Sequence, residues 1–360
     1  MAFIDFNLQL SSGTFFKWLF LRLISSFYSF LVHCRLLLYR LGFVKIYTPK
    51  VPVVSVGNLT VGGTGKTPIT DWLLSFYERQ DIKTAVLTRG YKAKKETPLQ
   101  ILNAGVAEKG NCQTYGDEPW MLFRRHPETT IYVGSNRVNS AQLAEKEADL
   151  LLLDDGMQHL RLDRQLNLVL IDCQAGIGNG HLIPLGPLRE PLHSLSRSDA
   201  IIYTRTEAAT SSTVQKKLAA YLDPELPTFN ARFLPHQLIS SLDGTEKTLE
   251  ELKGKQAVLF SGIGNPEAFT KTMEQIGCSV ADHLALTDHV SYTSAVMEKL
   301  KQRLWNYSTD LVICTEKDWV KLEPVKEQLP EFWYLKLKVE MDEKFKEFLV
   351  CHLNKFSPGN

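Results

Sequence analysis

Residues 51–67, Val51-Pro-Val-Val-Ser-Val-Gly-Asn-Leu-Thr-Val-Gly-Gly-Thr-Gly-Lys-Thr67, run an apolar stretch into a glycine-rich loop that closes on Gly65-Lys66-Thr67. A buried strand, a tight loop and a helix in that order form a cradle for phosphate, because loop N–H groups and the positive end of the helix point at the anion. Thr60, Val61, Gly62, Gly63, Thr64 and Gly65 form the loop. Lys66 is placed to reach the β- and γ-phosphates of a nucleotide, and the Thr67 hydroxyl to ligate Mg²⁺. The spacing departs from G-x-x-x-x-G-K-[ST] at one position, where Thr60 replaces the first glycine. Threonine fits there only with a negative φ, since left-handed geometry costs a non-glycine residue roughly 1–2 kcal/mol. The competing reading is a glycine-rich turn that happens to lie beside a lysine. The strand directly upstream argues against it.

At 360 residues the chain is long enough for two domains, and 44% hydrophobic with 22% charged residues is a globular composition. A net charge of +1 gives no global field to draw in nucleic acid. Six cysteines (34, 112, 173, 278, 314 and 351) are scattered without a C-x-x-C pair. This suits a reducing compartment and argues against a disulfide framework or a zinc site.

Residues 16–41 contain no proline or glycine and read as one helix. Phe16, Leu19, Phe20, Leu23, Ile24, Phe27, Phe30, Leu31, Cys34, Leu37, Leu38 and Leu41 share one broad apolar face. Lys17, Arg22, His33, Arg35 and Arg40 lie off it, and the segment has no acidic residue. A bilayer span needs roughly 20 mostly apolar residues, and Arg22 and Arg35 interrupt this one. Asp5 upstream, with no small-residue cleavage site downstream, disfavours a signal peptide. An apolar face with a cationic back is the pattern of a helix lying on anionic lipid. The alternative is a helix packed on the first domain, and the two are compatible if its rim is shared.

After the loop, apolar strand-like runs at 84–88, 130–133, 150–153, 166–171 and 200–204 are separated in several places by helical stretches such as 68–78 and 136–146. This alternation predicts an α/β fold, a parallel sheet sandwiched by helices. Ligands then sit at the carboxyl ends of the strands. Near residue 230 the pattern changes, with prolines at 224, 227 and 235 around an extended run at 229–233. A second, smaller α/β unit follows with strands at 257–261 and 311–314, and the alternating run 333–339 is placed to pair with 229–233. The predicted organisation is an amphipathic helix in 1–45, a P-loop domain in 46–228 and a smaller α/β domain in 247–331. A two-stranded linker occupies 229–246 and 332–341, and 342–360 forms a C-terminal helix or tail.

Leu150-Leu-Leu-Leu-Asp154-Asp155-Gly-Met-Gln-His159 is an apolar strand ending in two acids. An acid at a strand tip beside a P-loop holds the metal, directly or through water. Two acids in an ordinary turn are the bland alternative. Tyr115-Gly-Asp117-Glu118-Pro119 places Asp117 where it can accept a hydroxyl proton, or merely cap the next helix. Thr287-Asp288-His289 sets a histidine beside a carboxylate, an arrangement as common in structural roles as in catalysis. Arg89, Arg137 and Arg189 are candidates to hold phosphate, or simple surface ion pairs. Thr315-Glu-Lys-Asp318 fails as a guanine-specificity motif, which needs lysine two residues before the aspartate.

Taken together, these motifs resemble one family, the tetraacyldisaccharide 4'-kinases of lipid A biosynthesis. The resemblance rests on Gly57-Asn-Leu-Thr-Val-Gly-Gly-Thr-Gly-Lys-Thr-Pro68, Thr88-Arg-Gly-Tyr91, Gly116-Asp-Glu-Pro119, Asp154-Asp-Gly-Met-Gln-His159, Pro187-Leu-Arg-Glu-Pro191, Asp288-His289 and Thr315-Glu-Lys-Asp318, and covers nearly the whole chain. Thr60 is also that family's habit. The resemblance implies a P-loop NTPase fold with two α/β domains and a cleft that closes on the nucleotide. It implies transfer of the γ-phosphoryl group of ATP to the 4'-hydroxyl of tetraacyldisaccharide 1-phosphate, with Mg²⁺, at the cytoplasmic face of the inner membrane. Asp117 then becomes the general base and His289 its partner. Asp154, Asp155 and Glu190 fall in the metal and catalytic region, and Arg137 and Arg189 help hold phosphates. The implied partners are an anionic lipid and the membrane surface, with no nucleic acid and no obligate protein partner.

Two other classes compete. A P-loop GTPase or metallochaperone predicts guanine preference and hydrolysis without an acceptor, but the guanine and C-x-x-C motifs are missing. A membrane-bound nucleotide sensor predicts that Asp117 is dispensable.

Overall fold

The strands, in chain order, are β1 (Val53–Asn58), β2 (Thr84–Thr88), β3 (Leu99–Leu102), β4 (Thr130–Gly134), β5 (Leu150–Asp154), β6 (Leu166–Asp172), β7 (Ala200–Thr204), β8 (Thr228–Ser240), β9 (Glu246–Thr248), β10 (Gln256–Ser261), β11 (Ser279–Ala285), β12 (Leu311–Thr315) and β13 (Trp333–Met341). The fold is α/β, a parallel-dominated sheet flanked by helices. The structure is a computed structural model and describes residues 12–90, 98–107, 110–208, 210–288, 290–305, 307 and 309–356. The chain divides into two compact units, residues 1–87, 136–232 and 341–360 in the first, and 88–135 and 233–340 in the second. Of the four crossings, two fall within β8 and β13.

In the first unit the strand order is β8-β7-β6-β1-β5-β2, all parallel. Strands β1, β5 and β6 are buried along their whole length, as their unbroken apolar runs require when helices cover both faces. The registers bring Val56 beside Asp154 and Asn58 beside Leu170. The P-loop and the acidic strand tip therefore start from adjacent strands. Leu59, Met157, Ile171, Leu188, Ile201 and Tyr203 pack in one core directly under that end of the sheet.

The N-terminal helix, Ser12–Arg40, belongs to this unit. It docks through its small polar side. Ser25 donates to the Leu182 carbonyl at 2.8 Å, Tyr28 to the Arg189 carbonyl at 2.9 Å, and Arg35 to the Gln158 carbonyl at 2.5 Å. Val32 is buried beneath them. The apolar face predicted from the sequence points outward: Phe20, Phe27 and Phe30 are 62%, 63% and 61% exposed. This helix is long and apolar enough to cross a membrane by length and composition.

In the second unit β11, β10, β12 and β13 run parallel in that order, and β3 pairs antiparallel with β4. Helix Asp117–Arg125 is fixed to helix Glu316–Leu322 and the turn after it. Arg125 forks onto Glu316, Arg124 pairs with Glu323 at 2.8 Å, and Trp120 Nε1 donates to Glu323 at 3.1 Å. Contacts thus group 88–135 with 233–340, whereas the sequence reading kept 88–135 with the P-loop.

The strands expected at 84–88, 130–133, 150–153, 166–171, 200–204, 257–261, 311–314 and 333–339 are present within a residue or two. Strand β8 is longer than the 229–233 run. Pro235 ends neither half of it, because it falls after the pairing with β7 stops at Ala231 and before that with β9 starts at Gln237. Its missing N–H breaks no bond to either strand. All six cysteines are free, and the four buried ones, Cys112, Cys173, Cys278 and Cys314, serve as small apolar fillers of the core.

Candidate active site

The loop after β1 takes the shape its glycines allow. Gly62 has φ 109° and Gly65 φ 88°, both left-handed. Among the described residues the left-handed non-glycine ones are Asp81, Asp155 and Arg205; Thr60 is not one of them, so the threonine sits without strain. The start of the loop is zipped to residues 187–189. Val61 N donates to the Pro187 carbonyl at 2.8 Å, and Arg189 N to the Leu59 carbonyl at 2.7 Å. This ladder carries Arg189 and Glu190 to the P-loop from more than a hundred residues away in sequence.

Lys66 opens helix Lys66–Glu78, with its ammonium 3.2 Å from Asn58 Oδ1 and 3.5 Å from Asp155 Oδ1. Arg189 Nη1 lies 3.0 Å from both oxygens of Asp155 and 3.2 Å from Gln158 Oε1. Burial by itself would raise the Asp155 pKa, but Lys66, Arg189 and Arg137 outweigh it and hold the carboxyl below its ordinary range. Asp155 is therefore an anion that keeps two cations extended at the loop. Its φ of 50° turns it back toward them. Gly156, next in the turn, donates its N–H to the Val56 carbonyl at 2.9 Å and leaves no room for a side chain.

Asp154 is 3% exposed and lies 3.5 Å from the Thr70 hydroxyl, alongside the helix that begins with Lys66 and Thr67. Glu190 is 1% exposed; Arg197 pairs with its Oε2, and among the described residues Oε1 has no hydrogen-bond partner. Arg137 is buried at the start of helix Arg137–Ala144, which Asn136 caps. Thr67, Asp154 and Glu190 are hard oxygen donors. An orphaned carboxylate oxygen this deep fits a site that takes a divalent cation.

In the second unit Asp117 opens helix Asp117–Arg125, after Gly116 at φ 97°. Lys321 Nζ lies 3.4 Å from its Oδ2. Cys112 nearby is pushed up to about 12, by burial first and then by the charge of Asp117. Asp318 is fully buried and holds the N–H of Gly262, the Tyr292 hydroxyl and the Thr315 hydroxyl. The Thr315-Glu-Lys-Asp318 motif is thus consumed inside the unit and reads no base. His289 lies outside the described residues.

The family model described as tetraacyldisaccharide-1-P 4'-kinase (LpxK) matches residues 17–354. The chain belongs to that family. It is 37% identical over 307 residues to the tetraacyldisaccharide 4'-kinase of Syntrophotalea carbinolica, covering 85% of this chain and 83% of the relative. It is 33% identical over 338 residues to that of Desulfatibacillum aliphaticivorans, covering 92% of each. The crystal structure of LpxK from Aquifex aeolicus in complex with ATP superposes with a TM-score of 0.73 at 28% identity, over 91% of this chain and 97% of that one. The chain is an ATP-dependent kinase of lipid A biosynthesis acting at the 4'-position.

For this kinase the structure gathers Thr60 to Thr67, Asp154, Asp155 and Arg189 at one end of the first-unit sheet, with the field of Arg137 reaching Asp155. Asp117 stands in the other unit. Sequence reasoning missed Asn58 and Gln158 as the groups that steady Lys66 and Arg189. It also missed Thr204, Arg205 and Lys321. Arg205 follows directly on a strand end, the position where ligands gather, and that signal was available.

Proposed function

We propose that the kinase moves the γ-phosphoryl group of ATP to the 4'-hydroxyl of tetraacyldisaccharide 1-phosphate, with the P-loop as phosphate cradle and Asp117 as base. The Lys66–Asp155–Arg189 cluster supports this reading best, because it holds two cations at the N-terminus of the P-loop helix without letting them collapse onto surface groups. Lys66 leaves Asp155 for the β- and γ-phosphates. Arg189 and Arg137 balance the remaining charge. Asp117 accepts the proton of the 4'-hydroxyl while its oxygen forms the new bond to phosphorus and ADP departs with the electrons of the broken one. His289 partners Asp117. Carboxylate basicity suffices, since such a transfer needs positioning and neutralisation more than a strong base.

Thr67, Asp154 and Glu190 would hold Mg²⁺, which when bound neutralises charge on the phosphate oxygens. The exposed apolar face of the N-terminal helix rests on the cytoplasmic face of the inner membrane, where the anionic lipid substrate resides. Strands β8 and β13 serve as the linker expected at 229–246 and 332–341.

Transfer of ³²P from [γ-³²P]ATP to tetraacyldisaccharide 1-phosphate in mixed micelles tests the assignment, with Mg²⁺ or EDTA and with a Lys66→Ala control. Metal-dependent lipid labelling lost in the control is the expected result. Phosphate released from GTP with no labelled lipid would overturn it.

A further inference from the structure

Two P-loop carbonyls are held from outside the loop by consecutive residues at the end of β7. Thr204 Oγ1 donates to the Thr64 carbonyl at 2.9 Å, and Arg205 Nη1 donates to the Gly63 carbonyl at 3.0 Å. In a trans peptide the C=O and the following N–H point in opposite directions. Fixing the Gly63 and Thr64 oxygens toward β7 therefore turns the N–H groups of Thr64 and Gly65 away from it. Those are loop donors of the kind that cradle phosphate.

The holding residues are themselves fixed. Thr204 is fully buried in β7, in register with Asp172 at the end of β6. Asp172 pairs with the Arg205 guanidinium through Oδ2 and accepts the Gln174 N–H on Oδ1 at 2.9 Å. Arg205 has φ 53°, a left-handed conformation that is costly for a non-glycine residue and persists only where the surroundings over-determine it. The strained backbone aims the side chain at two acceptors at once.

We propose that Thr204 and Arg205, with Asp172 behind them, are positioning residues that pre-set the P-loop amides for the nucleotide. None of them touches ATP in this role. They keep loop N–H groups aimed inward before ATP arrives, so that binding does not have to order the loop. The proposal needs only that the P-loop binds ATP, and it is independent of the roles given to Asp117 and the metal ligands.

The test measures Kd for MgATP and MgADP by calorimetry, and KM for ATP and for the lipid separately. Thr204→Val removes the donor with little change of shape. Arg205→Met removes the guanidinium. Each is expected to raise Kd and KM for nucleotide about 10-fold, the worth of one lost hydrogen bond to a backbone carbonyl, with KM for the lipid unchanged. Thr204→Ser is expected to restore tight binding. Nucleotide Kd within two-fold of the parent in both variants would overturn the proposal. So would an equal rise in KM for both substrates, which marks a general structural loss. Should Thr204→Val fail to fold, Arg205→Met carries the test: it removes the one nitrogen, Nη1, that serves both the Gly63 carbonyl and Asp172, and unchanged nucleotide affinity there would refute the role. Loss of transfer in Asp117→Asn with normal nucleotide affinity would leave this proposal standing, so the two readings fail separately.

Discussion

Lys321 Nζ lies 3.4 Å from Asp117 Oδ2, and the lysine side chain is 6% exposed while the aspartate is 22% exposed. Among the described residues no hydrogen-bond partner satisfies the ammonium. The aspartate proposed as base is thus the counter-charge of a buried lysine, and the two roles can be separated. Asp117→Asn leaves the ammonium buried and unpaired, at a cost of about 1–3 kcal/mol. It should also lower kcat by about 10²–10⁴-fold with KM for ATP little changed. The double variant Asp117→Asn/Lys321→Met should recover most of the stability and none of the activity. Thermal unfolding beside steady-state kinetics reads both; a double variant as unstable as the single one would remove the pairing argument.

Gly156 is required by space. An added Cβ would meet Ser55 Oγ at 2.3 Å and the Leu153 side chain at 2.7 Å. Gly156→Ala should destabilise the kinase by about 1–3 kcal/mol and, by shifting the Asp155 turn, weaken transfer. Unfolding in urea checks the first effect. A midpoint equal to the parent's would mean that the turn can move freely.

His159 follows the same turn, and its pKa is lowered to about 4, by burial first and then by Arg137, Arg164, Arg35 and Arg161. The folded state therefore binds this proton less readily than the unfolded chain, in which a histidine titrates near 6.5. Stability from this group is full above pH about 6.5 and falls as pH drops toward 4, by an amount on the order of 1–3 kcal/mol. Unfolding free energies at pH 7 and pH 5 should differ more for the parent than for His159→Gln. Equal pH slopes would show that His159 is not what the acid limb reports.

Phe20, Phe27 and Phe30 sit on the exposed face of a helix that docks through Ser25, Tyr28 and Arg35. Replacing all three with Ser should leave the fold intact, since each ring is more than 60% exposed. Binding to anionic vesicles should weaken by about 10²-fold or more, at roughly 1–2 kcal/mol for each partly buried ring. Activity on detergent-dispersed lipid should persist. Co-sedimentation with vesicles unchanged by the triple variant would assign that face to another partner.

Much of the kinase is legible in its sequence because the informative patterns are local. Apolar runs fix β1, β5 and β6, since a strand covered on both faces tolerates no polar position. The glycines at 62 and 65 announce a loop with left-handed turns, and the absence of acids in residues 16–41 marks a helix with one lipid-like face. What the tertiary structure decided is which distant groups meet. Arg189 reaches Asp155 through a backbone ladder between residues 187–189 and the P-loop. Arg205 reaches the Gly63 carbonyl from a strand end some 140 residues further along the chain. Lys321 reaches Asp117 only because two helices are joined by salt bridges. Neither residue type nor spacing encodes such pairs, because they depend on strand order and register, and those emerge only when the whole core is packed.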